Sequence, residues 1–186
     1  EHIVDSVKNV ATFASNLFNN AEDFSESTYW LIEDNMFFGE GGQYINTPTD
    51  VSTVWVPSSV EVDDAFNRKL ELVAHLDFIF EPVLASNPNT VAIYIIGQEE
   101  YTRLYPNIDL PGILPADFEA TEDVFYLTGA PENNPDGAVV WTPIYDDPAQ
   151  QGLLVSAVAP VYSNDGFQGV IGLDVSLTSL TQSIES

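Results

Sequence analysis

The 186-residue sequence contains no cysteine, which excludes disulfides, thiolate metal sites and thiol nucleophiles and leaves the redox compartment open. It has only four basic residues, Lys8, Arg68, Lys69 and Arg103. Against 29 acidic residues they leave a formal net charge of -25, a field that repels nucleic acid and anionic lipid headgroups. No nucleic-acid partner is expected. The same field attracts cations, amines and metals included, and it is also what adaptation to a saline medium produces. The two histidines, His2 and His75, stand apart from each other and from every loop cluster, so no metal centre and no cofactor are expected. No nucleophile elbow, glycine-rich phosphate loop or His-Glu-x-x-His motif occurs, which removes the sequence basis for a catalytic residue. No apolar run approaches the roughly 18 residues of a membrane span. No basic stretch followed by an apolar one opens the chain, so any signal or anchoring segment is expected outside it.

What is present is 45% hydrophobic residues, enough for one domain with a sizeable core, and residues 1–186 are read as a single unit. Residues 1–28 are expected as an N-terminal helix. Ile3, Val7, Val10, Phe13 or Ala14, Leu17, Ala21 and Phe24 recur at helical spacing, close to a heptad seam, so this helix packs on its own domain or pairs with a second copy. Residues 29–61 read as irregular, broken by the Gly-Glu-Gly-Gly turn at 39–42 and dense in aromatics such as Trp30, Tyr44 and Trp55, which suit core filling or a stacking platform.

A second helix is expected over 62–87, capped by Ser58 or Ser59 and stopped by Pro82 and Asn87-Pro88. Its Arg68 and Lys69 face acids of the same region, and its lone His75 is structural or exposed. Residues 91–175 carry the sheet and its loops. The run VAIYIIG at 91–97 reads as a strand covered on both faces, with a turn at Glu99-Glu100 and a hairpin partner at 101–105. Residues 106–135 read as loops around one short helix near 117–128. Three β segments at 139–145, 152–162 and 167–175 then form an antiparallel meander, and 176–186, with Leu177, Leu180 and Ile184 at helical spacing, leaves as an exit helix.

Adjacent carboxylates occur at Glu99-Glu100, Glu122-Asp123 and Asp146-Asp147; two of them facing one cleft define the alternative of a secreted acidic hydrolase. Asp147 precedes Pro148 in a turn, where aspartate also serves backbone hydrogen bonding. Asp174 is different, because it sits inside the apolar strand GVIGLDV. Alternation places Val170, Gly172 and Asp174 on one face, so the carboxylate needs a partner: Tyr145, a backbone amide or a ligand. Arg103 either reaches that site from the hairpin or pairs with a nearby surface acid.

Four features in order resemble the Cache (PAS-like) extracellular sensor domains of histidine kinases, chemoreceptors and related membrane signalling proteins. They are the aromatic pair Phe125-Tyr126, the Tyr145-x-Asp147 motif, the Ala-Pro-Val-Tyr strand ending at Tyr162, and the Gly-Val-Ile-Gly-Leu-Asp-Val ending at Val175. The resemblance implies an α+β fold with a central antiparallel sheet flanked by the N-terminal helix and a second helix. It also implies an extracytoplasmic position, flanking transmembrane segments, a homodimer through the N-terminal helix and a small-molecule ligand. In amino-acid-binding members an arginine two residues before the aromatic pair clamps the ligand carboxylate, and the Tyr-x-Asp and the last strand acid take the ammonium. Carried over, the ligand-binding set is Phe118, Asp123, Phe125, Tyr126, Tyr145, Asp147 and Asp174. Asp123 stands at the arginine position and Phe118 at a tyrosine position, so a ligand carboxylate meets another carboxylate where it needs a guanidinium. What survives suits an amine or another cation. A module that binds no small molecule and serves dimerisation or partner docking is the other alternative.

Overall fold

In the strand Thr90–Gly97, Ile93 and Ile95 point to one side and Ala92, Tyr94 and Ile96 to the other, and both sets are buried. Burial on both faces is what turns an alternating strand into a continuous apolar run. It also puts this strand inside the sheet.

The computed structural model describes residues 2–185, the last three by backbone alone. Helix α1 (His2–Asn19) is followed by a 3-10 turn at Ala21–Phe24, then α2 (Ile32–Asn35), β1 (Met36–Phe38), β2 (Tyr44–Asn46) and β3 (Thr53–Val56). Next come α3 (Asp64–Val73), a 3-10 turn at Ala74–Leu76, α4 (Asp77–Ala85), β4 (Thr90–Gly97) and β5 (Thr102–Tyr105). After the loops and α5 (Val124–Leu127), the chain adds β6 (Val140–Trp141), β7 (Tyr145–Asp146), β8 (Leu153–Ser163), β9 (Gly166–Ser176) and α6 (Leu177–Glu185).

The strands form one antiparallel sheet in the order β1-β2-β3-β5-β4-β9-β8-β6, with β7 also on β8. The helices cover one face. Val7, Val10, Ala14 and Leu17 of α1 and Phe66, Leu70 and Val73 of α3 pack on Ile93, Ile95, Ala157, Ile171 and Leu173. Each fully buried Val or Leu is worth about 1.5–3 kcal/mol, so the seam of α1 is spent on this chain's own sheet. The opposite face carries Tyr94, Ile96, Leu104, Val158 and Val170 and is covered by Phe125 and Tyr126 of α5 together with Ala120 and Ala130 beside it.

The structure departs from the sequence reading in several places. The N-terminal helix ends at Asn19, short of residue 28, and continues as a 3-10 turn. Residues 29–61 are not irregular throughout, since they supply three strands that extend the sheet. The second helix is two helices joined by a 3-10 turn, and its cap is Asp63, which accepts from the Phe66 amide at 2.8 Å, not Ser58 or Ser59. Pro82 lies within α4 and does not stop it. The segment 139–145 is two short strands, β6 and β7, with Pro143 between them, because proline supplies no ladder donor. Lys69 pairs with Glu99 of the β4–β5 turn, not with the acids of its own helix. His75 is 8% exposed; its Nδ1 donates to the Leu72 carbonyl (2.9 Å) and its Nε2 bonds Ser27 Oγ (2.7 Å), which is the structural role. Of the apolar positions read into the exit helix, the Ile184 side chain lies outside the described residues.

Candidate functional site

Register explains how the site assembles. Ala92 pairs with Asp174 and Tyr94 with Gly172 across β4 and β9, while Ser156 of β8 pairs with Asp174 from the other side. All of these side chains therefore leave the sheet on the loop-covered face. The loop after β5 lays Phe118 and α5 over that face, where the Trp55 indole donates to the Phe118 carbonyl at 3.1 Å. The turn between β7 and β8 closes the side.

Together these elements line a partly open apolar cavity of about 50 Å³ whose wall includes Tyr94, Phe118, Phe125, Tyr145, Asp147 and Asp174. Asp174 is 4% exposed. Its Oδ1 accepts from Ser156 Oγ at 2.6 Å and from Tyr145 Oη at 3.3 Å, and Ser156 and Tyr145 stand 2.8 Å apart. Burial pushes its pKa up to about 7, the Asp147 charge adds to the rise, and the hydroxyls around it offset part of it. Tyr145 is held well above its ordinary value, by burial first and then by the Asp174 charge. Asp147 accepts from the Ala149 amide (3.1 Å) and the Gln151 amide (3.3 Å), so its carboxylate caps the turn. Burial raises it despite those bonds, and the Asp123 charge adds to the rise. The Phe125 ring lies 6.0 Å from that of Tyr94 and 5.7 Å from that of Tyr145.

Two residues of the expected set are not on the cavity wall. Asp123 is the N-cap of α5, accepting from the Val124 amide at 2.7 Å, and only its charge reaches the site, through Asp147. Tyr126 is core, 8% exposed and edge-on to Phe167, with its pKa raised to about 12 by burial and the nearby Glu100. Consecutive residues on one short helix turn cannot both face the same cavity, and Phe125 takes it. Arg103 does not reach the site. It lies opposite Val54 and Ile95, on the helix-covered face, 1% exposed, where it donates to both Asp77 oxygens at 2.9 and 2.6 Å with its guanidinium 4.8 Å from the Trp30 ring.

Two polar residues of the site escaped the sequence reading. Tyr94 was visible as the one tyrosine of an aliphatic strand, but its facing Asp174 depends on the β4–β9 register. Ser156 is an ordinary strand residue until β8 is laid against β9.

No protein-family model matches the sequence, and a search of curated proteins gives no match. Solved structures do match. The ligand-binding domain of the Pseudomonas aeruginosa PAO1 amino acid chemoreceptor PctB, in complex with L-Arg, aligns with 95% of this chain at 18% identity and a TM-score of 0.52. The chain spans about half of that domain, 49% of its length. The domain of the P. aeruginosa chemoreceptor PctC with GABA aligns with 97% of this chain and 62% of its own, at 14% identity and a TM-score of 0.47. That of Campylobacter jejuni Tlp3 with 4-methylisoleucine aligns with 93% and 57%, at 14% identity and a TM-score of 0.45. The α+β fold, with its antiparallel sheet and N-terminal helix, is that of Cache-type, PAS-like sensor domains.

Proposed function

We propose that this chain is the extracytoplasmic ligand-sensing domain of a transmembrane signalling receptor, that it is not an enzyme, and that its ligand is a small amine or other small cation. The observation that carries the ligand class is the buried Asp174 carboxylate, whose hydrogen-bond partners are hydroxyls alone and whose cavity has no basic wall residue. An ammonium ion supplies the missing countercharge and meets the faces of Phe125 and Tyr145. A ligand carboxylate meets only Asp147 and Asp174. No described helix is long and apolar enough to cross a membrane, so the membrane anchor of this reading belongs to flanking chain.

The proposal includes an output. Asp174 lies near the end of β9, and α6 begins at Leu177, so a pull on the carboxylate is transmitted along one continuous strand into the exit helix. Binding shifts that helix only by the ligand's differential affinity for the two states. Pairing of two copies through α1 uses its outward face, where Phe13 is 37% exposed, because the apolar seam is already covered.

The small cavity favours one competing reading, a module that docks a partner and takes no small ligand, since drug-sized sites occupy about 300 Å³ or more. The hydrolase alternative also has its two carboxylates in one cleft, but Asp147 is engaged by backbone amides. A thermal-shift screen separates these readings. A ligand at about 100 times its Kd adds roughly 2.7 kcal/mol of stability. Small alkylamines are expected to raise Tm, with α-amino acids and carboxylates inert. Stabilisation by carboxylates overturns the cation reading, and silence across the screen favours docking.

A further inference from the structure

The turn between β4 and β5 is closed by the Glu100 amide, which donates to the Gly97 carbonyl at 3.0 Å, and by the Gly97 amide, which donates to the Tyr101 carbonyl at 2.8 Å. It leaves Glu100 at a φ of 73°. That left-handed backbone favours glycine or asparagine, so a glutamate there needs a compensating contact. The side chain makes one with the loop before α5, where Thr121 Oγ1 donates to Glu100 Oε1. Thr121 stands between two wall residues of the cavity, Ala120 and Phe125. Two other tethers hold the same loop from β3 and the segment after it, Trp55 to the Phe118 carbonyl at 3.1 Å and Ser59 to Glu119 at 2.7 Å.

The Glu100 tether differs from these because ionisation opposes it. The carboxyl is half-buried, and the acids that reach it, Glu119 and Glu122, belong to the loop it holds. Tyr126 of α5 stands in its field as well, and Lys69 of α3, the base at this turn, is paired with the neighbouring Glu99. Burial raises the Glu100 pKa to about 7, the Thr121 amide offsets part of that rise, and the charges of Glu119 and Glu122 add to it.

We infer that Glu100 is a proton-controlled latch on the cavity: protonated, it holds residues 118–127 against the sheet, and ionised, it releases them, so access to the cavity rises with pH. This rests on the reading of the cavity as the ligand site, and not on the class of ligand. A loop that swings out returns Glu100 to water and to the ordinary glutamate value of 4.5. The closed state therefore binds more protons than the open one, and closure weakens as pH climbs from about 4.5 to about 7.

The test is hydrogen exchange of the ligand-free chain at the Leu127, Thr128 and Ala130 amides, which bond Asp123, Val124 and Tyr126 carbonyls at 2.9–3.0 Å. Protection is taken relative to unfolded peptide at the same pH, so that it reports local opening. In wild type it should fall about tenfold from pH 6 to pH 8, as a return from about 7 to 4.5 requires. Glu100→Gln should abolish the fall, and Asp174→Asn, which removes the cavity's own titrating acid, should keep it. Glu122→Gln, at an exposed position, relieves a like charge and should move the midpoint to lower pH. A fall in Glu100→Gln equal to that of wild type, its loss in Asp174→Asn, or constant protection in wild type overturns the latch and leaves the proposed function standing. If Glu100→Gln does not fold, an unmoved midpoint in Glu122→Gln overturns it instead. Silence in the thermal-shift screen removes the ligand reading without altering the titration of the loop.

Discussion

Asp174 carries a pH signature that can be read without any ligand. Its folded pKa of about 7, raised chiefly by burial, compares with 3.8 for the free side chain. Between those values the native state holds a proton that the unfolded chain has released, so the native state binds more protons and stability falls as pH rises from about 4 to about 7. Above that window the loss is complete. Glu100, raised to about 7 mainly by burial, acts with the same sign, so the wild-type slope alone does not isolate Asp174. The difference between variants does. Asp174→Asn is expected to melt higher than wild type at pH 8 and to show a flatter pH dependence from 5 to 8; identical slopes contradict the assignment. At this scale the sequence was informative where chemistry was locally improbable. A carboxylate within GVIGLDV demanded a partner, and the alternation of Val170, Gly172 and Asp174 named its face correctly. The partners Ser156 and Tyr94 were illegible, because no local pattern encodes which residues of separate strands stand opposite one another.

At the scale of elements, the buried Arg103–Asp77 pair ties the start of α4 to β5. It is 1% and 3% exposed, and Ser52 Oγ donates to Asp77 Oδ1 at 2.6 Å and Tyr29 Oη to Oδ2 at 3.0 Å. Removing one partner strands the other charge in the core. Arg103→Ala is expected to cost about 3–5 kcal/mol in urea unfolding, and the double variant Arg103→Met with Asp77→Leu should recover most of that. A single-variant cost below about 1 kcal/mol contradicts the view of this pair as the anchor of the helix layer. α1 was readable from its helical periodicity, and β4, β8 and β9 from apolar runs of strand length bounded by turn residues. The strands of 36–56 were not. Each has three or four residues, too few to show alternation, and their stability comes from pairing with β5 and with one another. Pro82 misled because an interior proline removes one i→i−4 bond and strains the helix without having to end it, and α4 continues past it to Ala85.

At the scale of the whole molecule, a net charge of -25 makes any cation a weak surface ligand, and a pocket must be told apart from that atmosphere. The two differ in their response to salt. Surface attraction is screened over about 3 Å at 1 M ionic strength, whereas a buried contact is screened far less. The resemblance read in residues 125–175 anticipated the fold, and the aspartate at the arginine position is one ground of the proposed cation ligand. The cavity's size, and the turning away of Tyr126 and Asp123, came only with the folded chain. The measurement that tests the central claim most directly is calorimetric titration of ethylammonium at about 0.15 M and about 1 M sodium chloride, on wild type and Asp174→Asn. The account predicts saturable one-to-one binding by wild type that survives high salt and is lost in Asp174→Asn. Heat that vanishes with salt, or equal binding by Asp174→Asn, would show that the cation is held by the acidic surface and not by the cavity.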